Sequence, residues 1–524
     1  MAKKKGRRRD PYTLDPSVHR TIVREVTDLV RSISHESFKI KYFEDEWLSK
    51  INDPESNVTS DARRDAAIEK WLLTEERNAR TNQRLLLDST TIGGLSTDVF
   101  FSTTRRFVSE IIGEEIHWFQ TMPFGRFSGG ASTSKSRLEG RAAQKFRDKA
   151  DITTEAKTYS ALYELGLVDA LGRVDYRTVS GNILFTVPKN ALIDRVACKE
   201  PDINMFLQLA AGGYIRKQLK KVGIDLNDQT RNQKLARIGS ITGELATVDL
   251  SSASDSITTT LVQKCLPDEW FVLLDRIRSH KTTIGKDLHE NQMFSSMGNG
   301  FTFELESLLF YCMCRAAAYH FGVKGTISVY GDDLIIPSQL YHNLKNLFGF
   351  AGLLFNSKKS YNSGPFRESC GSHWYNGMDV KPFYLREPIH HVSRLIHFLN
   401  RLRDWCSVDG ICDPRFYPIW KKWSKLVPSQ LKGGWDCERI DSLVSNNYPR
   451  LTLVRTSRNV TKKDFGAYLY WHNLKTVNPT APPSEVEETL PVGSYVVRRY
   501  KGASSASGPS GWDVSRRPLF PQEL

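Results

Sequence analysis

The middle of this 524-residue chain predicts a mixed α+β core. Three observations lead there. Short β-branched runs alternate with stretches of helical spacing and with glycine-rich loops. Two β-prone runs flank the turn pair Gly331-Asp332, the signature of a tight hairpin. With 40% hydrophobic and 11% aromatic residues, the chain has material for a large packed core, which excludes wholesale disorder.

Charge narrows the class of partner. Lys and Arg number 73 against 59 Asp and Glu, a net +14. Nucleic acid leads as the explanation, ahead of an acidic membrane surface or plain solubility. The excess is local: residues 1–9 carry +6, residues 124–149 carry +5 and residues 189–221 carry +4, which leaves the remainder near neutral. No apolar run approaches the ~18 residues of a membrane span. The best, Leu308 to Tyr319, is broken by Arg315, and MAKKKGRRRD lacks the apolar stretch of a secretory signal. No membrane partner is expected. Eight cysteines make no disulfide framework and fit a reducing, cytosolic setting.

Along the chain, the basic block 1–9 reads as a self-repelling tail, either solvated or in contact with a polyanion. From about Pro16 to Leu95, apolar residues such as Val23, Val26, Leu29 and Val30 recur at helical spacing. Phe124 to Lys149 is a mobile basic loop with Arg126, Lys135, Arg137 and Arg141. Its GGASTSKS has Ser134 where a phosphate-binding P-loop needs glycine, so a P-loop is rejected. The loop suits single-stranded RNA, with Phe124 and Phe127 either stacking on bases or packing internally. Phe185 to Pro201 sets Lys189, Arg195 and Lys199 beside β-prone residues, a trio suited to a triphosphate. His390, His391, His397, Cys406 and Cys412 fit no compact zinc pattern, and Cys312-Met313-Cys314 reads as core. The Gly/Ser-rich segment Lys501 to Trp512 reads as a flexible tail.

The sharpest feature is TISVYGDDLIIP, Thr326 to Pro337. A hairpin here holds Asp332 and Asp333 at its tip, where adjacent carboxylates repel unless cations neutralise them. Hard oxygen ligands of this kind suit Mg²⁺, although an ordinary exposed turn has the same sequence signature. A second carboxylate site is ATVDLSSASDSI. Leu245 to Leu250 has strand character, which puts Asp249 at a strand end, and Ser254 or Asp255 can cap a following helix through Ile257, Leu261 and Val262. A strand-end Asp plus a hairpin-tip Asp on separate rigid elements meets the demand of two-metal phosphoryl transfer. Between them, SSMGNGFTFELE places Gly298 and Gly300 before a helix, in a loop whose backbone can approach a ribose or phosphate.

Taken together, D-x₅-D, then G-x₃-T, then YGDD resemble the palm motifs of viral RNA-dependent RNA polymerases. The 83-residue step from Asp249 to Asp332 is similar to theirs. More narrowly, TVDLSSASDSI, FSSMGNGFTFELES, YGDD, FRESCG and DVKPFY, over roughly residues 180–405, resemble the replicase β subunits of the small single-stranded RNA bacteriophages, the leviviruses.

The resemblance implies a right-hand polymerase fold of fingers, palm and thumb, with an antiparallel palm sheet carrying the GDD hairpin. It divides the chain into a basic tail and helical region (1–95), mainly fingers (96–240), mainly palm with a fingers insertion near 265–300 (241–380), thumb and C-terminal region (381–500) and a flexible tail (501–524). Asp249 and Asp332 are implied as the principal ligands of two Mg²⁺, with Mn²⁺ able to substitute and Asp333 assisting. Asp255 would sense the ribose hydroxyl with Thr302 or Asn299 nearby, beside Gly298. Many positive-strand polymerases have Asn where Glu306 stands here. In FNSKK, the Asn-x-x-Lys spacing favours Lys359 over Lys358 as proton donor to pyrophosphate, and Lys189, Arg195 and Lys199 would line the fingers over the incoming nucleotide. Trp374, Tyr375, Phe383 and Tyr384 would pack a hairpin between palm and thumb. The implied activity is RNA-dependent RNA synthesis without a primer. Implied partners are RNA, nucleoside triphosphates and host elongation factors Tu and Ts, often with ribosomal protein S1 and a host RNA chaperone, in the cytoplasm of the bacterial host. Two competitors remain: a reverse transcriptase, which would accept deoxynucleotides, and a non-catalytic RNA-binding or repressor protein, which needs no separated carboxylates.

Overall fold

In the computed structural model, residues 12–51, 59–147, 149–160, 175–189, 192–434, 437–438, 440–445 and 518–523 are described. The basic block 1–9 and the segment Lys501 to Trp512 lie outside them. The chain divides into two compact units, residues 57–380 and residues 1–56 with 381–524. The region expected to run from 1 to 95 is therefore split between the two.

The split unit begins with α1 (Pro16–Ile33) and α2 (Phe38–Glu46). Asp15 caps α1 by accepting from the Ser17 amide at 2.8 Å, with Pro16 at the first helical position. Ile22, Val26 and Val30, four residues apart, bury one face of the helix. That face packs in one core with Phe43, Trp47, Phe383, Leu395, Phe398 and Trp405. Phe383 lies 5.1 Å from Phe43 and 5.9 Å from Phe398 between ring centroids, so it is a core residue of this unit rather than part of a hairpin with Trp374. The last described residues are anchored too. Phe520 is fully buried, and the buried Arg403 guanidinium bonds Pro518 O at 2.8 Å and Glu523 Oε2 at 2.6 Å. A buried guanidinium must have such acceptors, which corrects the expectation of a free tail as far as 518–523 are concerned.

The other unit begins with α3 (Ser60–Leu87) and α4 (Thr97–Ile112). The hairpin of β1 (Asn182–Pro188) and β2 (Asp194–Lys199) follows, then α5 (Asp202–Lys221) and α6 (Thr230–Thr242). Next come β3 (Leu245–Ser251), α7 (Thr259–Cys265), β4 (Lys281–Ile284) and β5 (Asp287–Glu290). Helix α8 (Thr302–His320) leads to β6 (Ser328–Tyr330) and β7 (Asp333–Pro337), and β8 (Leu354–Phe355) comes after them. A three-stranded meander of β9 (Phe366–Ser369), β10 (Ser372–Tyr375) and β11 (Met378–Asp379) closes it.

The central sheet has strand order β6-β7-β3-β8, antiparallel throughout. A second sheet, β2-β1-β4-β5, carries the basic hairpin. Helix α8 is buried nearly all round, with Leu305, Leu308, Leu309, Phe310, Cys312, Met313 and Cys314 in the main core. The apolar stretch Leu308 to Tyr319 is thus a core helix, and among the described residues no helix is long and apolar enough to cross a membrane. Trp374 packs with Ala236, Leu245 and Ile335, beneath the Arg237 guanidinium at 5.6 Å.

Candidate active site

The two central strands bring the first carboxylates together. Tyr330 pairs with Asp333 across the β6–β7 hairpin, which leaves Gly331 and Asp332 as its two turn residues. Asp332 is therefore at the tip, whereas Asp333 is the first residue of β7 and stands directly opposite Asp249 of β3. Directly opposed residues on antiparallel strands have Cβ atoms about 5 Å apart. Gly331 makes the turn with φ +60°, and a β-carbon there would lie 2.5 Å from Phe303 Cε2 and 3.0 Å from Glu306 Oε1. The Gly331 amide is held by Ser307 Oγ at 3.0 Å, which fixes the turn over α8.

Repulsion is visible in the carboxylates. The surrounding protein and Asp249 raise Asp332, and the surrounding protein and Asp332 push Asp333 up to about 6. Glu306, buried beneath the turn, is pushed well above the usual range, first by burial and then by Asp332, Glu304 and Asp255. Burial thus favours the neutral acid at Glu306.

Asp249 is braced by the segment after β8. Asn356 Nδ2 donates to Asp249 Oδ2 at 2.7 Å, the Asn356 amide donates to Asp249 O at 2.8 Å, and the Asp249 amide donates to Ser360 Oγ at 3.2 Å. The same turn presents Lys359, whose amide donates to Asn356 O at 3.0 Å. Desolvation alone would lower its ammonium, but Glu368, Asp249, Asp333 and Asp332 outweigh it and hold Lys359 above its ordinary value. Lys189 is pulled down by desolvation and by Arg195, Lys70 and Lys359, while Asp249 pulls it up. These cations therefore face the carboxylates and one another, an arrangement that a polyanion would relieve. Lys199 lies on the same β2 hairpin, 5.6 Å from the Phe185 ring.

The structure corrects one assignment and places the loop residues beside it. Asp255 sits in a 3₁₀ turn, Ser254–Ser256, and does not cap α7. Thr258 does, its hydroxyl accepting from the Leu261 amide, because Thr258 has the extended backbone a cap requires. The surrounding protein and Glu75 push the Asp255 carboxyl up to about 6, against the pull of Lys70, Arg195 and Lys189. The Thr302 hydroxyl is turned inward, 2.9 Å from Ser295 Oγ and 3.0 Å from Ser296 O, so it pins the glycine loop. Asn299 Oδ1 accepts from the Phe301 amide at 2.9 Å. Gly298 rests on β2, where the Cys198 amide donates to Met297 O at 2.8 Å.

Parts of the basic segment 124–147 are packed against the rest of the unit. Phe127 is buried against Phe206, Lys145 is buried with Nζ on Ser128 O at 3.0 Å, and the Thr133 amide reaches Glu200 O. Arg126, Arg137 and Arg141 are exposed on its surface, and Lys135 is half-buried. Phe127 therefore serves packing rather than stacking on bases. Arg126 Nη1 donates to Phe124 O at 3.2 Å.

Sequence reasoning missed what α3 does. Glu75, buried in that helix, accepts from Asn78 Nδ2, from the Gln292 and Met293 amides at 2.7 and 2.9 Å, and faces His289 Nε2 at 3.0 Å. Asn78 Nδ2 also donates to Asp255 O at 2.6 Å, and Arg77 Nη2 to Ser256 Oγ at 2.7 Å. One helix thus fastens both the Asp255 turn and the approach to the glycine loop. A polar residue in a helix reads as solvated unless its tertiary neighbours are known. Among the described residues, no three His, Cys, Asp or Glu side chains gather closely enough to hold a metal alone. Mg²⁺ typically takes one or two protein carboxylates and completes its shell with phosphate and water.

Comparison with known proteins shows the family. A family model described as RNA replicase, beta-chain, matches residues 22–464. Over 434 residues the chain is 41% identical to the RNA-directed RNA polymerase beta chain of Enterobacteria phage fr, covering 81% of this chain and 79% of that one. It is 37% identical over 506 residues to that of Enterobacteria phage GA (93% and 91% covered), and 40% over 435 residues to that of Escherichia phage MS2 (81% and 79%). The crystal structure of the RNA-dependent RNA polymerase of a human picobirnavirus superposes with a TM-score of 0.46 at 13% identity, over 80% of this chain and 84% of that one. The class is that of RNA-directed RNA polymerases. Within it, the chain belongs to the RNA replicase β-chain family.

Proposed function

We propose that the chain copies phage RNA by two-metal nucleotidyl transfer, with Asp249 and Asp332 as the principal metal ligands and Asp333 assisting. The observation that carries this is the register that sets Asp333 opposite Asp249, with Asp332 in the adjoining turn. The donor set fits Mg²⁺, since the clustered carboxylate oxygens are hard ligands, and burial and neighbouring carboxylates raise Asp332 and Asp333, which favours a cation among them. When bound, the ions would lower the pKa of the attacking 3′-hydroxyl and offset the charge of pyrophosphate.

The chain's own residues do the rest. Lys189, Arg195 and Lys199 hold the triphosphate by charge and, for Arg195, by a forked hydrogen bond. Lys359, held charged by four carboxylates, donates the proton that pyrophosphate takes as it leaves. Asp255 reads the ribose hydroxyl from its turn beside the glycine loop, with Gly298, Asn299 and Thr302 shaping that loop. Arg126, Lys135, Arg137 and Arg141 contact RNA phosphates. Family membership supports initiation without a primer, work in the bacterial cytoplasm, and assembly with elongation factors Tu and Ts, ribosomal protein S1 and a host RNA chaperone.

Chelation tests the metal reading. RNA-templated incorporation of ribonucleotides should vanish in excess EDTA and return with Mg²⁺ or Mn²⁺, and synthesis that persists under chelation would refute it. RNA affinity should fall steeply with salt, with a log–log slope of about −0.7 per neutralised phosphate on single strands. Charge-removing substitutions at Arg137 and Arg141 should flatten that slope by about one unit each or a little less. A flat salt response would rule out phosphate-driven binding.

A further inference from the structure

The glycine loop and the basic hairpin meet at a buried carboxylate. Glu200 follows Lys199 at the end of β2, stands one residue before Pro201 and α5, and is 1% exposed. Neutral donors meet it from three directions. Asn182 Nδ2 of β1 donates to Oε1 at 2.7 Å. Gln208 Nε2 of α5 and Ser279 Oγ, just before β4, donate to Oε2 at 3.1 and 2.7 Å. Burial pushes the carboxyl up, and these donors pull it back down. A carboxylate held out of water needs such a set, because each lost donor leaves charge unsolvated.

Two of the donors reach on to the glycine loop. Gln208 Oε1 accepts from the Gly300 amide at 3.0 Å, and Gln208 Nε2 also donates to Ile277 O at 2.9 Å. An N–H on one side and a carbonyl on the other leave the Gln208 amide a single orientation, with its nitrogen toward Glu200. Asn182 Nδ2 also donates to Ser296 Oγ at 3.2 Å. With the Cys198 amide on Met297 O at 2.8 Å, the loop is gripped at Ser296, Met297 and Gly300, on both sides of Gly298 and Asn299. The approach is close, since a β-carbon at Gly300 would lie 2.9 Å from Gln208 Cβ and 3.0 Å from the Leu209 nitrogen. All three grips start from β1, β2 or α5, the elements around Arg195 and Lys199. Hydrogen bonds have direction where apolar contacts have none, so this corner fixes how the loop is turned as well as how far away it lies.

We propose that Glu200 is a positioning residue of the nucleotide site: through Gln208 and Asn182 it holds the glycine loop in register with the basic hairpin, so that the ribose end and the triphosphate end of the incoming nucleotide meet one rigid piece of protein. The proposal rests on the reading of hairpin and loop as the nucleotide site and names what couples them. A loop released from the corner keeps its residues but loses their fixed distance from the phosphates, so it senses the ribose 2′-hydroxyl less sharply. The metal ligands proposed above stand on β3 and in the β6–β7 turn, outside this network.

The test uses the full chain, purified with whatever host subunits accompany it. Hydrogen exchange without metal or nucleotide reads the loop directly: in Gln208→Met the amides of residues 295–301 should exchange about tenfold faster than in the parent, with β3 and β7 unmoved. In RNA-templated synthesis the same variant should raise KM for nucleoside triphosphates about tenfold, with kcat within about threefold. Its preference for ribo- over deoxynucleotides should fall about fivefold or more, with the Mg²⁺ half-saturation unmoved. Glu200→Ala should match it, and the double variant should lose no more, because the two side chains belong to one network. Glu200→Gln should stay within about twofold of the parent in KM and ribose preference, since its oxygen still accepts from Gln208. Its nitrogen is met by Asn182 turned over, because the Thr282 hydroxyl, 2.7 Å from Asn182 Oδ1, accepts as well as donates. Should Glu200→Ala fail to fold, Gln208→Met and Glu200→Gln still decide. The proposal is overturned if Gln208→Met lowers only the melting temperature and leaves loop exchange, KM and ribose preference parental. It is overturned too if Glu200→Gln is as impaired as Gln208→Met. If Arg195→Ala and Lys199→Ala both leave KM for nucleotide unmoved, the reading of the hairpin as the triphosphate site fails instead.

Discussion

Asp332→Asn should abolish Mg²⁺-dependent nucleotide incorporation, by about 10³-fold or more, and leave RNA binding and folding intact. The magnitude follows from the size of electrostatic contributions in phosphoryl transfer, where one misplaced or missing charge costs several powers of ten. The geometry explains why the loss is confined to chemistry. Asp332 stands in a two-residue turn whose conformation is set by Gly331 and by the Ser307 bond, so an amide of equal volume disturbs neither. Removing the charge also removes a repulsion, since Asp332 is the leading charged neighbour raising Asp333 and Glu306. The variant should therefore melt no lower than the parent, a pattern typical of residues kept for function at the expense of stability. Thermal melting, filter binding of RNA and incorporation, measured side by side, check all three parts. Undiminished synthesis would remove Asp332 from the metal site. Asp249→Asn should be equally inactive for the same reason, since its partner Asn356 donates to an amide oxygen as readily as to a carboxylate.

The strands of the candidate site are legible because their signals are local. A turn pair between β-prone runs, and an Asp at the end of an apolar strand, need only a few neighbouring residues to be read. Leu245 to Leu250 is a strand as expected, extended by one residue. What was misread depends on partners far along the chain. Glu75 looks like any solvated helical acid, and only the fold sets it against the amides of Gln292 and Met293. Asp255 and Thr258 are both good capping residue types, and the choice between them is made by backbone conformation at Thr258. The N-terminal helices share a core with residues beyond 381, a pairing that periodicity within α1 cannot announce. Phe127 could have stacked on a base or on Phe206, and burial decided for the latter.

Gly298→Ala should cost more than any other single methyl addition at the site, about 2–4 kcal/mol of stability and about a hundredfold in incorporation. Two separate effects add there. The backbone has φ +111°, where a β-carbon is strained in any surroundings, and that β-carbon would overlap the Cys198 carbonyl oxygen of β2. The neighbour is backbone in a paired strand, so it cannot yield as a side-chain tip would. Relief requires the loop to lift off β2 and break the Cys198–Met297 bond at 2.8 Å. It would also strain the ties that fix the rest of the loop, Thr302 to Ser296 and Gln208 Oε1 to the Gly300 amide at 3.0 Å. Since β2 carries Arg195 and Lys199, KM for nucleotide should rise along with the fall in kcat. Gly285→Ala separates the two effects. Gly285 also has positive φ, +64°, but open space around its would-be β-carbon, and it turns β4 into β5. It should cost only the backbone part, about 1 kcal/mol, with incorporation within about twofold of the parent. Equal losses in the two variants would show that strain alone matters and that close packing of the glycine loop on β2 does not.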